Sequence, residues 1–389
     1  MIDYGFMLKW EDKVKKKIVV APNAYKGTIT AIRAAEIMSS AIRDAMHDVE
    51  IVQKPMADGG DGTAFVLAEC TGGKVIWEIV PDPLQRHCKA AYVEIGEKEV
   101  YAVDMSSASG YARLSPGERD IWRATSEGAG VLCRHAMERG AKRIILGVGG
   151  TAFLDAGIGL ASAMGVSFLD INGDTVSPGA KGMLEVCEID MCGLMERARD
   201  IVWDLALDVD NPLLGSAGAA AVYGPQKGAT EGDVCMLEEG LTNIATLVEN
   251  AAGSELRTLQ GTGAGGGAPL IMKGLFNARM HSGGELVAEM VGLEKAILGA
   301  DVVLTGEGCM DGQTAFGKGP DVVAGLSQKN GVPVVAVVGK TGPGFEAVYK
   351  RGIIKIEKTG RGDTLPSQTV AERELFLGTK RVLSWLNQI

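Results

Sequence analysis

The alternation of apolar and polar positions divides the chain into short runs of two kinds. Lys17-Ile18-Val19-Val20-Ala21 is apolar without alternation, as in a parallel strand covered on both faces. After the loop Pro22-Asn23-Ala24-Tyr25-Lys26-Gly27, apolar residues recur at Ala31, Ala34, Ala35, Met38, Ala41, Ile42 and Ala45. That stripe has a helical period, and Thr28 or Thr30 can cap it. Residues 50–54 predict a second strand, and a helix follows through Phe65 and Leu67. The rhythm then changes: residues 75–80, 89–95 and 100–103 are short strand-like runs joined by polar turns, which predicts an antiparallel or mixed sheet. Residues 126–139 predict a helix, 143–146 a strand, and 166–169 another strand beyond a further helix. Near Glu285 the β/α alternation resumes, with a helix to Leu298, a strand at 302–304, a helix at 321–328 and the strongly apolar strand 334–338.

This order predicts an α/β protein in which a doubly wound domain, residues 15–74 and 285–389, carries an inserted mixed α/β domain, residues 75–284. A chain of 389 residues is long enough for both, because single cores seldom exceed about 250–300 residues. The cleft between the two domains is the expected ligand site. Residues before Lys15 read as a short extension outside the first domain. The glycine-dense stretch 261–267 reads as a loop, a helix entry or an interdomain hinge.

Composition narrows the chemistry. A formal charge of −10 argues against a nucleic-acid surface, which needs clustered cations, but still permits a local cationic pocket. The seven cysteines are scattered without a CxxC pair, and predict a reducing, cytosolic setting with thiols packed as small hydrophobes. The first residues lack the pattern of a signal peptide, and no apolar run reaches the roughly 18–20 residues a membrane span needs. The expected location is cytoplasmic. The four histidines show no ligand spacing.

The chemistry-bearing segments are loops that follow apolar runs: Ala57-Asp58-Gly59-Gly60-Asp61-Gly62-Thr63, Gly147-Val148-Gly149-Gly150-Thr151, Asp208-Val209-Asp210-Asn211-Pro212 and Thr305-Gly306-Glu307-Gly308-Cys309-Met310-Asp311-Gly312-Gln313-Thr314. Strand, glycines and then a carboxylate is how α/β enzymes bring backbone amides and a metal-binding group to the carboxyl end of a sheet. Residues 312–319 approach a P-loop, but Gly319 stands where a Ser or Thr should hold magnesium, which leaves Lys318 as an isolated cation or part of a surface turn. Residues 143–170 imitate a dinucleotide fingerprint, with Gly147, Gly149 and Ala152 at its spacing and Asp170 about twenty residues on.

Read together, the loops resemble the bacterial glycerate kinase family from about residue 17 to 339. The matching strings are Ala21-Pro22 with Lys26-Gly27, the 57–63 loop, the 147–155 segment, Asp208-Val209-Asp210-Asn211-Pro212-Leu213, Gly224-Pro225-Gln226-Lys227-Gly228-Ala229-Thr230, and the 305–314 loop. The resemblance implies a flavodoxin-like doubly wound parallel-sheet domain plus a second mixed α/β domain. It also implies ATP- and Mg2+-dependent phosphorylation of D-glycerate or a close hydroxy acid, on the 2-hydroxyl. The chain departs from the family pattern at Asn23, where an Asp is usual, at Cys309, where an Arg is usual, and at Leu154 and Glu127.

Phosphoryl transfer needs cations across the transferring oxygens, in-line geometry and an acceptor for the hydroxyl proton. Asp208 and Asp210, two apart after an apolar run, suit a metal or a proton acceptor, although Asp210 can also cap the Asn211-Pro212 turn. Asp58 serves the chemistry or an Asx turn; Asp311 and Glu307 compete for a similar role. Lys26 and Lys227 contact phosphate or carboxylate, or are solvated lysines. Ser106, Ser107 and Ser109 bind a carboxylate or form turns, and Thr125 and Ser126 cap a helix. The assignment adopted makes Asp58, Asp208 and Lys26 catalytic. It gives the nucleotide Gly149, Gly150, Lys227, Gly306, Glu307 and Gly312, the substrate Asn23, Ser107 and Asp155, and the metal Asp210 and Asp311. The expected partners are a small hydroxy acid and ATP, without nucleic acid or membrane, and a homo-oligomer is compatible. Two alternatives stand beside it: a NAD-dependent oxidoreductase, and a family member that binds metabolites without turnover, suggested by the changes at 23 and 309.

Overall fold

A computed structural model describes residues 15–96, 99–315, 317–360 and 365–388. The extension expected before Lys15 lies outside the described residues. The chain forms two compact units, one holding the segment through Asp58, Glu69–Thr71 and everything from Gly284 onward, the other Gly59–Ala68 and Gly72–Gly283.

Numbered along the chain, the strands begin with β1 (Lys16–Pro22), β2 (Val49–Gln53), β3 (Lys74–Pro81), β4 (His87–Ile95) and β5 (Val100–Asp104). Then come β6 (Arg143–Gly147), β7 (Ser167–Leu169), β8 (Glu188–Asp190), β9 (Val202–Leu207) and β10 (Arg279–Ser282). The last are β11 (Val302–Met310), β12 (Val334–Thr341) and β13 (Ile353–Lys358). The helices used below are α1 (Ala31–Ala45), α2 (Thr63–Thr71), α3 (Glu127–Glu138), α4 (Ile158–Ala163), α5 (Glu231–Ala252), α6 (Ala268–Phe276), α7 (Gly319–Lys329) and α8 (Gln368–Leu386).

In the first unit the sheet order is β13-β12-β11-β1-β2, every pair parallel. Counted within the unit this is the 2-1-3-4-5 order of flavodoxin-like folds, whose ligands sit at the carboxyl ends where the order reverses, between β1 and β11. Thr30 starts α1 by accepting the Arg33 amide at 3.2 Å, a cap worth about 1 kcal/mol. Helices α1 and α8 bury one face of the sheet through Ala34, Met38 and Ile42, and Leu375, Val382 and Leu383, against Ile18, Val20, Leu304, Val335 and Val337. Helix α7, with Val323 and Ala324 buried, packs on the same strands outside that cluster.

The second unit is built on the mixed sheet β10-β9-β6-β5-β4-β3, parallel from β10 to β5 and antiparallel from β5 to β3. Its core packs α3, α4, α5 and α6 around Ile144, Leu146, Trp203, Leu205 and Tyr92. The mixed sheet was foreseen from the short alternating runs, and the overall α/β class with a parallel sheet likewise.

Four readings are corrected. Residues 59–68 group with the second unit rather than the first, because Asp104 at the end of β5 accepts the amides of Gly62 at 3.1 Å and Ala64 at 3.0 Å and fastens the start of α2 there. Strand β7 pairs antiparallel with β8 in a separate ribbon, while β6 lies between β5 and β9, so the second strand of a dinucleotide-binding β-α-β unit does not exist. Asp170 instead closes a turn, accepting the amides of Asn172 and Asp174. The 261–267 glycines form no hinge: they enter α6 inside the second unit, and Gly266 packs so tightly that a Cβ would lie 2.3 Å from the Phe153 carbonyl oxygen. Of the cysteines only Cys133 is buried, and Cys187, Cys192 and Cys235 are exposed. Among the described residues no helix is long and apolar enough to cross a membrane.

Candidate active site

At the switch point of the first unit, the Asn23 amide donates to the Gly306 carbonyl at 2.8 Å, joining the end of β1 to β11. The segment after β2 runs beside them, since Lys54 and Met56 donate to Val20 and Pro22. That course brings buried Asp58 to buried Asn23, whose Nδ2 donates to Asp58 Oδ2 at 3.4 Å. On β11, buried Glu307 accepts the Thr314 hydroxyl at 2.7 Å, and the same hydroxyl oxygen accepts the Asp311 amide at 3.1 Å. Burial pushes the Glu307 carboxyl up to about 7; Asp58 and Asp311 push the same way, against Thr314 and Lys318. Three acids therefore share one corner whose repulsion a divalent cation would relieve. Among the described residues no three His, Cys, Asp or Glu side chains form a ready-made metal cage. Magnesium does not need one, since it takes one or two carboxylates and completes its shell with phosphate and water. The residues present fit it.

The second unit holds a cavity of about 290 Å3 lined by Asp61, Tyr111, Gly149, Gly150, Thr151, Asp208, Tyr223, Gln226 and Lys227 among others. Glycine is required at 149, where a Cβ would fall 2.5 Å from Asp208 Oδ2 and 2.8 Å from the Gly60 α-carbon. The Gly149 amide is anchored on the Gly59 carbonyl at 3.0 Å. At Gly150, with φ of 74°, a Cβ would meet Asp61 Oδ1 at 2.8 Å. Backbone and two carboxylates thus approach each other only because both side chains are missing. Tyr223 braces the 208–212 loop by donating to Asn211 Oδ1 at 2.6 Å, and burial, then Asp208 and Asp210, push its phenol up to about 12.

Lys227 lies under this cavity, 5% exposed, donating to the Phe153 carbonyl at 2.6 Å and to Thr151 Oγ1 at 3.1 Å. Desolvation lowers its ammonium to about 7, and the charges of Asp155 and Asp208 only partly offset it. Burial therefore outweighs two acids, which leaves an amine ready to take up a proton when an anion arrives.

Several expected residues are engaged by the protein itself or stand at its surface. Asp155 is sealed: Oδ2 accepts the Ser126 amide and hydroxyl at 2.8 and 2.9 Å and the Thr125 hydroxyl at 3.2 Å, and Oδ1 accepts the Gly157 amide at 2.9 Å. It clamps the starts of α3 and α4 and cannot touch substrate. Ser107 is half-buried, its Oγ accepting the Ala91 amide of β4 at 2.8 Å. Gly306 is a packing glycine, because a Cβ there would lie 2.0 Å from the Val337 carbonyl oxygen. Gly312 packs beside the Pro343-Gly344 turn and donates to the Pro343 carbonyl. Lys26 and Asp210 are exposed, Lys26 on the loop whose backbone meets Gly308. Lys318 is the cap residue of α7, after the short turn Gly312–Ala315. Asp61, Asp104, Tyr111, Tyr223 and Thr314 were not assigned from sequence. Asp61 was readable, standing in the same glycine loop as Asp58; Asp104 was hidden, as a lone acid at a strand end.

The chain is similar to known proteins along most of its length. Residues 18–381 match the model of the glycerate kinase family. Glycerate kinase of Bacillus subtilis (strain 168) is 36% identical over 337 residues, covering 87% of this chain and 88% of the relative. Glycerate 2-kinase of Escherichia coli (strain K12) is 34% identical over 337 residues, with 87% and 88% covered. A crystal structure from Salmonella typhimurium LT2, provisionally designated glycerate kinase 2, superposes with a TM-score of 0.85 at 32% identity, covering 96% of this chain and 99% of that one.

Proposed function

The chain belongs to the glycerate kinase family, and from that membership and the two acidic, amide-lined clusters we propose that it moves the γ-phosphoryl group of ATP to the 2-hydroxyl of D-glycerate, in the cytoplasm. The observation that carries the reading is the placement of Asp208. Its carboxylate stands against the backbone of Gly149 in a cavity that also contains Lys227. A cavity of about 290 Å3 is the volume of about ten waters, the scale of a small metabolite.

Asp208 accepts the proton of the attacking hydroxyl as the bond to phosphorus forms, a contribution of roughly 10²–10⁴-fold. Lys227 and the amide of Gly150 face the charge on the transferring oxygens. In the first unit one or two of Asp58, Glu307 and Asp311 would hold Mg2+, which when bound would neutralise phosphate charge. Asn23 and Thr314 orient Asp58 and Glu307. Asp61 extends the acidic lining, and Asp155 fixes the loop that carries Thr151 and Phe153.

ADP release on mixing the enzyme with ATP, Mg2+ and D-glycerate tests the activity, and proton-coupled phosphorus NMR of the product tests the position. Attachment at the 2-hydroxyl gives a doublet from its single neighbouring proton. Silence with D-glycerate defeats the substrate assignment, and a triplet defeats the position.

A further inference from the structure

Beside the cavity stands a cation that the roles above leave unused. The Arg119 guanidinium lies over the Tyr111 ring, its central carbon 4.0 Å from the ring centroid. Tyr111 itself lines the cavity, and its amide donates to the Gly150 carbonyl at 2.8 Å, so the stacking platform is tied to the glycine loop. The Arg119 backbone is fixed from the other side by the turn that carries Lys227. Gly228, with φ of 103°, packs so closely that a Cβ would lie 2.8 Å from the Arg119 carbonyl oxygen.

Among the described residues Arg119 makes no ion pair, and its buried Nε has no hydrogen-bond partner. The acids on either side of it are already engaged. Glu118 holds Arg86 and Ser115, and Asp120 accepts the amides of Trp122 and Arg123. Nearby Arg113 donates to the carbonyls of Lys89 and Ser107. A buried guanidinium N–H without a partner is costly and calls for an explanation. Stacking orients the planar fork without consuming its N–H groups.

The cavity also needs such a group. Asp61 and Asp208 both line it, and Lys227 already spends two of its three donors on Thr151 and Phe153. An anionic reactant entering there meets two negative charges and one half-committed cation. We infer that Arg119, held on Tyr111, is a binding residue for an oxyanion of the reactants, gripping two oxygens with its fork. The inference rests on the kinase reading for the identity of the reactants. Two sources present the required pair of oxygens: the carboxylate of the hydroxy acid and a phosphate of the nucleotide.

The test is R119Q, R119K and Y111L, each compared with wild type by thermal melting, initial rates and calorimetric binding of D-glycerate and of ATP. R119Q is expected to raise the KM and Kd of one reactant about 10- to 100-fold, the scale of a lost charge-assisted bond, with kcat within a few-fold. R119K, which keeps charge and stem, recovers only part of the loss because an ammonium lacks the fork. Millimolar guanidinium is expected to restore affinity to R119Q, and Y111L to weaken the same reactant less severely. A loss confined to D-glycerate assigns the carboxylate; one confined to ATP assigns the phosphate. Unchanged affinity for both in folded R119Q and R119K overturns the inference. Wild type that binds D-glycerate without releasing ADP would instead break the kinase reading, and the binding arm would still judge Arg119.

Discussion

Thr314 holds Glu307 through its hydroxyl, which donates to Oε1 at 2.7 Å in a buried corner that also contains Asp58 and Asp311. The bond favours the charged carboxylate, yet desolvation wins and the group titrates near neutrality.

That balance sets a pH dependence for the metal-free protein. The folded value, about 7, lies above the ordinary 4.5, so the stability from this group is complete below about 4.5 and is lost as pH rises through 7. Glu307→Gln removes the dependence. In EDTA the variant should gain on wild type between pH 5 and pH 8 by at most about 3 kcal/mol, from 1.36 kcal/mol for each pKa unit. Urea denaturation of both proteins at the two pH values measures it. An equal difference at both would show that Glu307 is not strained. With Mg2+ at pH 8, wild type should gain more melting temperature than the variant.

Asp208 and Asp155 separate chemistry from scaffolding. Asp208→Asn should keep its melting temperature within a few degrees and lose about 10²–10⁴-fold in kcat. Asp155→Asn should do the reverse in character. It places an amide group against donors that now meet carboxylate oxygens, at about 1–3 kcal/mol for each one left unpaired. Full turnover in Asp208→Asn would remove it from the mechanism.

Gly149→Ala tests the crowding directly. The new methyl would sit 2.5 Å from Asp208 Oδ2 and 2.8 Å from Gly60, so the carboxylate must move. We expect kcat to fall at least 10-fold with a smaller change in KM for ATP. Wild-type kinetics would mean that the acid has another productive position.

Lys227 should announce the arrival of an anion. Its value near 7 leaves it mostly neutral at pH 8, and a neighbouring oxyanion raises it. Binding at pH 8 should therefore take up as much as about one proton, read by calorimetry in buffers of different ionisation enthalpy. Lys227→Met should abolish the uptake; an unchanged uptake assigns the proton elsewhere.

Periodicity made the parallel strands legible, because residues 17–21, 302–304 and 334–338 are apolar on both faces and only a covered sheet accommodates them. It also located the strand at 167–169 but not its pairing in a separate ribbon, since composition does not record which strand is the neighbour. The site was partly legible. Glycines flagged the loops, but sequence could not separate Gly149, which must let a carboxylate approach, from Gly306, which must avoid a carbonyl. Asp155 looked like a ligand because it follows glycines; only tertiary structure brings Ser126 and Thr125 onto it. Asp104 and Arg119 carried no local signal, because their partners come from segments distant in sequence or from the stacking of one ring.

The neighbour relation of β1 and β11 has a consequence for biosynthesis. Ile18 and Val302, partners in the first sheet, are delivered far apart in time by a ribosome adding about 5–20 residues each second. The mixed sheet, complete by Ser282, can condense while β1 and β2 still wait for their central companion. Until β11 emerges, the inner edge of β1 is exposed to solvent and to other nascent chains. Strands β1 and β2, made well before β11, are thus among the last to become native, and their early vulnerability is to aggregation rather than to loss of catalysis.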